Sequence, residues 1–218
     1  MSQKSIKKIT CPDCGQEADF TVWRSINTML DPEMKEKVRT REAFSFRCPE
    51  CGKVVNVDYG FLYHQMEDEM MIYYVSGEEE VEQVHDMFRG NSKMAEITEG
   101  MPSNYLYRIV RSQNDLREKL AIFDAGLDDR VIELAKLFYA GKYFSEHPEA
   151  ESDVLYFRPE EMELVFFREG KPVATGSMSK DFYDMVAEQY IAGRPALRED
   201  DIIIDMDWAY NVIREKAE

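Results

Sequence analysis

The stretch Cys11-Pro12-Asp13-Cys14-Gly15 recurs in form as Cys48-Pro49-Glu50-Cys51-Gly52, and the chain of 218 residues has no other cysteine. Two thiolates spaced Cys-x2-Cys in a tight turn can bind one metal ion, and two such turns supply four sulfur ligands. Each proline presets the backbone inside its turn, and each glycine can adopt the positive φ that directs backbone N–H groups at sulfur. The sequence therefore predicts a zinc ribbon with four metal ligands, Cys11, Cys14, Cys48 and Cys51.

The separation of the two turns needs an explanation. Residues 15–47, 33 in number, lie between them, whereas roughly 15 to 20 is the commonest ribbon spacing. The segment Asp31-Pro32-Glu33 is typical of a helix start, with Asp as the N-cap and Pro at the first helical position. Met34 and Val38 follow on one face of that helix. We therefore expect a ribbon whose loop carries a short helical insertion.

Other chemistry is compatible with four cysteines. The competing interpretations are two disulfides, an iron site of the rubredoxin kind, and a redox dithiol. Four thiolates select zinc or iron, and residues 1–10 lack an apolar run of signal-peptide length. We therefore expect a cytoplasmic protein with reduced thiols and a bound Zn²⁺, with iron as the second choice. Four protein ligands leave no position for a substrate.

Composition restricts the partners. The longest apolar run, residues 70–75, is far shorter than the roughly 18 residues of a membrane span. The net charge is −16, but residues 1–53 carry 10 Lys+Arg against 8 Asp+Glu. Phosphate binding needs a strongly positive face, and the only local candidate is Lys35, Lys37, Arg39 and Arg41. We therefore expect a protein partner, and neither nucleic acid nor a membrane.

The hydrophobic patterns predict an α+β protein. Residues 18–26, 42–48, 54–59 and 70–75 are expected as strands of a small antiparallel sheet that carries the metal at its end. A helix over 78–89 and a strand pair, 93–98 and 105–110, should follow. A helical hairpin then begins at Ser112, and its second helix, capped by Asp128 or Asp129, should end at Gly141.

The last part of the chain predicts a smaller α+β region. We expect a meander over 154–157, 163–168 and 172–176, a helix over 180–192, a buried strand at 202–204 and a helix over 208–216. Residues 145–152 are the best linker candidate. We therefore predict three regions. Residues 1–77 form a zinc-ribbon region, residues 78–150 form a strand pair and a helical hairpin packed on that region, and residues 151–218 form the C-terminal region.

Several stretches carry a resemblance to a known family: both Cys-Pro-x-Cys-Gly turns, residues 23–32, Leu62-Tyr63-His64, residues 114–119 and residues 127–133. In these stretches the chain resembles the CpXC proteins. The resemblance covers about the first 140 residues. It implies a mostly bacterial group with a zinc-ribbon-like amino-terminal domain. It implies no activity, because none is assigned to the family.

No catalytic or cofactor-binding residue can be assigned. The chain lacks a P-loop, an H-E-x-x-H and a G-x-S-x-G motif. His64 is expected as a hydrogen-bonded histidine beside the sheet, and acidic clusters such as residues 67–69 as solvated faces. Our leading hypothesis is a metal-stabilised adaptor that binds proteins. The alternatives are an enzyme with a pocket lined by His64, a thiol switch and a nucleic-acid-binding ribbon.

Overall fold

A computed structural model of the chain describes residues 2–77, 81–84, 105–194 and 201–217. Helices and strands are mixed along these ranges, which confirms the α+β class. The strands are β1 (Gln3–Thr10), β2 (Glu17–Asn27), β3 (Ser45–Arg47), β4 (Val54–Asn56), β5 (Phe61–Gln65), β6 (Met70–Tyr74), β7 (Leu106–Val110), β8 (Val154–Arg158), β9 (Glu163–Arg168) and β10 (Lys171–Ser177). The helices are α1 (Glu33–Arg39), α2 (Gln113–Asp124), α3 (Asp129–Glu146), α4 (Lys180–Val186) and α5 (Met206–Ala217).

The described residues divide into two compact units, Met1–Arg117 and Glu118–Glu218. The three-region division of the chain, with boundaries after residues 77 and 150, stays a prediction. The predicted strand over 93–98 lies outside the described residues, as does the predicted helix over 78–89 except for residues 81–84, which are helical. The second member of the predicted strand pair is β7.

The main sheet of the first unit has the strand order β1-β2-β5-β6-β7. Strands β2 and β5 pair in parallel, as do β6 and β7, while the other neighbours are antiparallel. The expectation of one small antiparallel sheet is therefore wrong. A parallel pair needs a long crossover connection, and the segment between β2 and β5 provides one because it contains α1 and a second hairpin.

That second hairpin is the separate two-stranded sheet of β3 and β4. Its strands are shorter than predicted, because residues Glu42–Phe44 form a 3₁₀ turn and the second strand ends at Asn56. The two cysteine turns occupy equivalent places, since the first connects β1 to β2 and the second connects β3 to β4. The fold thus presents each Cys-x2-Cys turn at the end of its own hairpin.

Helix α1 confirms the predicted insertion between the cysteine turns. Met34 and Val38 are buried on its inner face, as their spacing indicates. Its start differs from the prediction, because Pro32 occupies the N-cap position and no side chain caps the helix. Asp31 contributes its backbone carbonyl instead, which accepts from the Met34 N–H at 3.0 Å.

The second unit is built around α3. One face of α3 packs on the antiparallel meander β8–β10, because Ile132 and Ala135 belong to one hydrophobic cluster with Leu164 and Phe166. The other face packs Val131 and Leu134 against α4 and α5. Helix α3 continues to Glu146, and the predicted helix end at Gly141 is wrong. Beyond Gly141 the helix still packs on the meander, because the Tyr143 ring stacks on Phe166 with ring centroids 4.4 Å apart.

The other elements of the second unit largely follow the prediction. The meander is confirmed, and α4 continues as a π-type turn over Ala187–Ile191. The predicted strand over 202–204 is wrong, because these residues form a turn and a bend, although Ile202 and Ile204 are buried. Helix α5 starts next to Asp205, whose side chain accepts from the Trp208 backbone N–H at 2.9 Å.

The start of α3 and the adjoining part of α2 bury a cluster of charges. Its members are three acids and two lysines, namely Glu118, Lys119, Asp129, Glu133 and Lys136. Lys119 lies 3.2 Å from Asp129 and 3.0 Å from Glu133, and Lys136 lies 2.7 Å from Glu118 and 3.1 Å from Glu133. Each charge thus has a partner of opposite sign within the cluster.

Candidate metal centre

The first cysteine turn is closed by backbone hydrogen bonds. The Gly15 N–H donates to the Cys11 carbonyl at 3.0 Å, and the Cys11 N–H donates to the Gln16 carbonyl at 2.9 Å. Gly15 has a φ of 74°, in the left-handed region where a residue without a Cβ is favoured. The turn therefore brings the Cys11 and Cys14 side chains to the same side of the hairpin end.

The second turn repeats this geometry. The Gly52 N–H donates to the Cys48 carbonyl at 3.0 Å, the Cys48 N–H donates to the Lys53 carbonyl at 2.8 Å, and Gly52 also has a φ of 74°. Two hairpins with unrelated strand lengths thus end in the same bend. This equivalence follows from the shared Cys-Pro-x-Cys-Gly sequence rather than from the sheets around it.

The four sulfur atoms form one cluster. The Sγ atoms of Cys11 and Cys51 are 3.6 Å apart, as are those of Cys14 and Cys48. All four Sγ atoms lie within 4.8 Å of one another, and none is in a disulfide. A tetrahedral ion with metal–sulfur bonds of about 2.3 Å sets its sulfurs about 3.8 Å apart. The cluster could therefore hold a metal ion.

Backbone N–H groups point at the sulfurs and affect their acidity. The pKa of the Cys48 thiol is lowered to about 7, and the backbone N–H of Cys51 is the largest cause. Desolvation opposes this shift, and the backbone N–H of Glu50 adds to it. The N–H of Gln16 also favours the Cys14 thiolate, but desolvation and the other three sulfurs outweigh it and raise the pKa of Cys14 to about 12. Four thiolates at this distance need a cation to stabilise their negative charge.

One side of the cluster is backed by a hydrophobic core. In each turn the first cysteine, Cys11 or Cys48, is buried, and the second, Cys14 or Cys51, is exposed. The buried pair packs with Phe46, and further side chains from both hairpins complete the cluster, Ile9, Ala18, Phe20, Val55 and Val57. The hairpins therefore meet through apolar contacts on one side of the sulfurs and through the sulfurs themselves on the other.

A surface ion pair also joins the two turns. Lys53, just after the second turn, lies 3.4 Å from Asp13 in the first turn. Both side chains are about half exposed, so the pair adds little stability. Sequence reasoning did not identify it, because nothing in a single chain indicates which charges face each other across two separate hairpins.

The remaining residues singled out in the sequence do not join the cysteines. His64 lies on β5, is half-buried, and its Nε2 is 3.4 Å from the Tyr105 hydroxyl. Burial lowers the pKa of His64. A groove of about 460 Å³ lies in the first unit, lined by side chains that include Lys4, Trp23 and Arg47, and His64 is not part of it.

Two of the four cations of the predicted basic patch, Lys35 and Arg39, contact other groups of the protein. Lys35 lies 3.4 Å from Glu67, and the Arg39 guanidinium donates to the Tyr63 hydroxyl at 2.9 Å and to the Gln65 side chain. Phe61 and Tyr63 on β5 are buried in the sheet core and offer no surface on which bases could stack. These groups are therefore committed to the fold.

These observations define the class of this protein: an α+β chain in which two hairpin turns bring four cysteines together where they could hold a metal ion. The family model described as CpXC protein matches residues 9–136, more than half of the chain. The chain belongs to the CpXC family. A comparison with curated proteins found no match, and a comparison with solved structures found none either.

Among the helices that the structure describes, none combines the length and the apolar character that crossing a membrane would require.

Proposed function

We propose that Cys11, Cys14, Cys48 and Cys51 bind one Zn²⁺ and that this zinc stabilises a protein-interaction module of the cytoplasm. The observation that carries the proposal is the four-sulfur cluster, with both opposed pairs at 3.6 Å. Four thiolates suit zinc or iron, and zinc is the ion that commonly closes such turns in a structural role. With four protein ligands the ion has no open position for a substrate.

The fold supports a stabilising role for the metal. Strands β3 and β4 have three residues each, and an isolated two-stranded hairpin is marginally stable in water. Binding of structural zinc contributes on the order of 10 kcal/mol in small zinc peptides. A metal that joins β3–β4 to the β1–β2 hairpin would therefore keep the second turn ordered.

Binding of proteins is favoured over binding of nucleic acid by the charges. The chain has a net charge of −16, and two of the four cations of the candidate patch, Lys35 and Arg39, already contact groups of the protein. Nucleic-acid binding instead depends on many free Lys and Arg side chains that replace counterions at phosphates. A protein surface ordered by the metal agrees better with this distribution.

The test is metal analysis of the purified 218-residue chain and of its variants Cys11→Ser and Cys48→Ser. We expect one zinc per wild-type chain, its loss in both variants, and faster proteolysis of residues 1–60 in the variants. Val54→Ser, a change at an exposed position beside the second turn, should keep the metal and is the matched control.

Two results would contradict the proposal. One is full zinc content in both cysteine variants. The other is iron in place of zinc, which visible absorption would reveal because Zn²⁺ has a filled d shell and no such bands.

A further inference from the structure

Two turns of the first unit leave the same end of the main sheet. Strand β2 continues into the turn at residues 28–31, and β5 continues into the short 3₁₀ turn Met66–Asp68. Because β2 and β5 are parallel, with Asn27 opposite His64, their carboxyl ends lie side by side. The two turns are therefore neighbours, at the end of β2 opposite to the cysteine turn.

Buried polar groups hold the two turns together. The Asn27 side chain donates to the Met66 sulfur at 3.1 Å and accepts from the Met29 backbone N–H at 3.0 Å. The Thr28 hydroxyl donates to Glu67 at 2.8 Å. Asn27 and Thr28 are both buried. The surface above them is thus preorganised, which lowers the entropic cost of binding a partner.

This surface exposes three large apolar side chains. Met29 is 63% exposed, Leu30 60% and Met66 40%. They are three of the ten large apolar side chains found exposed among the described residues. Asn27 bonds to all three residues, through the Met66 sulfur and through the backbone N–H groups of Met29 and Leu30. We call these three side chains the Met-Leu patch. Contiguous exposed apolar surface marks interaction sites, and flexible thioethers adapt to the shape of different partners.

The rim of the Met-Leu patch is acidic. Four carboxylates lie on the same two turns, from Asp31, Glu67, Asp68 and Glu69. Among the ion pairs that the structure describes, these carboxylates pair with one cation, Lys35. Its Nζ lies 3.4 Å from Glu67 and 3.7 Å from Asp68. A partner with apolar anchors flanked by Lys or Arg would match both the apolar centre and this excess of negative charge.

We propose that the Met-Leu patch is the docking surface for a short basic amphipathic helix of a partner protein. The patch consists of turn side chains and not of an open strand edge, so contact by side chains spaced along a helix suits it better than strand addition. This inference deepens the proposed interaction role and rests on it, because it names the kind of partner.

The test uses the zinc-loaded full chain and a fluorescent 18-residue peptide of Leu and Lys with helical spacing. We expect saturable binding by fluorescence anisotropy, and binding at least tenfold weaker for the double variant Met29→Ser, Leu30→Ser. Ile6→Ser is the matched control, because Ile6 is 70% exposed but lies on the lysine-rich strand β1. It should change the affinity less than twofold.

Methyl NMR of the chain labelled at the methionine methyls locates the peptide. The Met29 and Met66 signals, assigned with Met29→Leu and Met66→Leu, should shift on binding. Signals of buried methionines such as Met34 and Met70 should not.

Several outcomes would overturn the inference. One is that the double variant binds the peptide as tightly as the wild-type chain, and another is that a peptide with Glu in place of Lys binds as tightly as the Lys peptide. The others are methyl shifts confined to other methionines, and self-association of the chain through the patch in place of peptide binding. Any of these with one zinc per chain would remove the docking site and leave the metal proposal intact. If the zinc proposal is wrong, the metal analysis will instead show less than one zinc per chain or a different metal.

Discussion

Gly52 shows how much of the four-cysteine cluster depends on single backbone positions. Its φ of 74° lies in a region that costs an L-residue about 1–2 kcal/mol. A Cβ at this position would meet no atom within 4 Å, so the expected cost is conformational and not steric. The same holds for Gly15, which has the same φ.

We predict that Gly52→Ala destabilises the first unit by about 1–2 kcal/mol. Gly141→Ala is the control, since Gly141 lies inside α3 with open space around it, and there alanine should stabilise by about 0.5–1 kcal/mol. Urea unfolding measures both changes. Trp23 reports on the first unit in a Trp208→Phe background, and Trp208 reports on the second in a Trp23→Phe background. An unchanged midpoint for Gly52→Ala would contradict the turn geometry.

The two cysteine turns were predictable from the sequence because their information is local. Two residues between paired cysteines, with Pro and Gly at fixed offsets, are sufficient to specify each turn. The charge cluster of Glu118 and Lys136 was not predictable in this way. Charged residues on a helix usually indicate a solvated face, and only the packing of α2 and α3 buries these side chains.

Helices α2 and α3 are joined by buried charges, and two of the carboxyls, Glu118 and Glu133, have net pKa shifts of opposite sign. Burial alone would raise the pKa of both Glu118 and Glu133. For Glu133, Lys119 and Lys136 outweigh burial and hold the pKa below its ordinary value. For Glu118 burial outweighs the attraction of Lys136, and its pKa is raised. The charged form of Glu133 thus stabilises the fold, whereas that of Glu118 is disfavoured by folding.

We predict that Glu133→Gln destabilises the second unit more than Glu118→Gln at pH 7. Removing one partner of a buried ion pair costs about 3–5 kcal/mol, and Glu133 contacts both lysines. A carboxyl with a lowered folded pKa contributes stability that is present above its unfolded pKa, near 4.5, and is lost as the pH falls through the folded value. Glu133→Gln should therefore also weaken the acid sensitivity of unfolding. A larger effect of Glu118→Gln, by urea unfolding across pH 3–7, would contradict this account.

Element boundaries failed where tertiary contacts override local sequence. Gly141 resembles a helix end, yet the helix continues past it, where Tyr143 stacks on Phe166 of β9. Strand β1 was not predicted, because the sequence Gln3–Thr10 is polar and rich in lysine and forms a strand by pairing with β2. Residues 202–204 are apolar like a strand, but they are buried as a turn.

At the scale of the whole molecule, each compact unit has hydrophobic clusters of its own. In the first unit, one of them surrounds the cysteines. In the second unit, they surround α3 and contain no cysteine. A metal at the cysteines should therefore stabilise the two units to different extents.

We predict that chelation of the metal raises amide hydrogen exchange in β3 and β4 by about tenfold or more, because local opening depends on local contacts. Exchange in α3 and β9 should change less than about twofold. Mass spectrometry of the full chain with and without chelator measures both. Equal loss of protection in α3 and in β3 would contradict separate stabilisation of the two units.

X-ray absorption spectroscopy of the purified 218-residue chain tests the proposed four-sulfur zinc site most directly, because it identifies the metal and counts its ligands. The account predicts a zinc edge with four sulfur neighbours at about 2.3 Å. Fewer than four sulfurs, oxygen or nitrogen in the coordination shell, or iron at the site would contradict it.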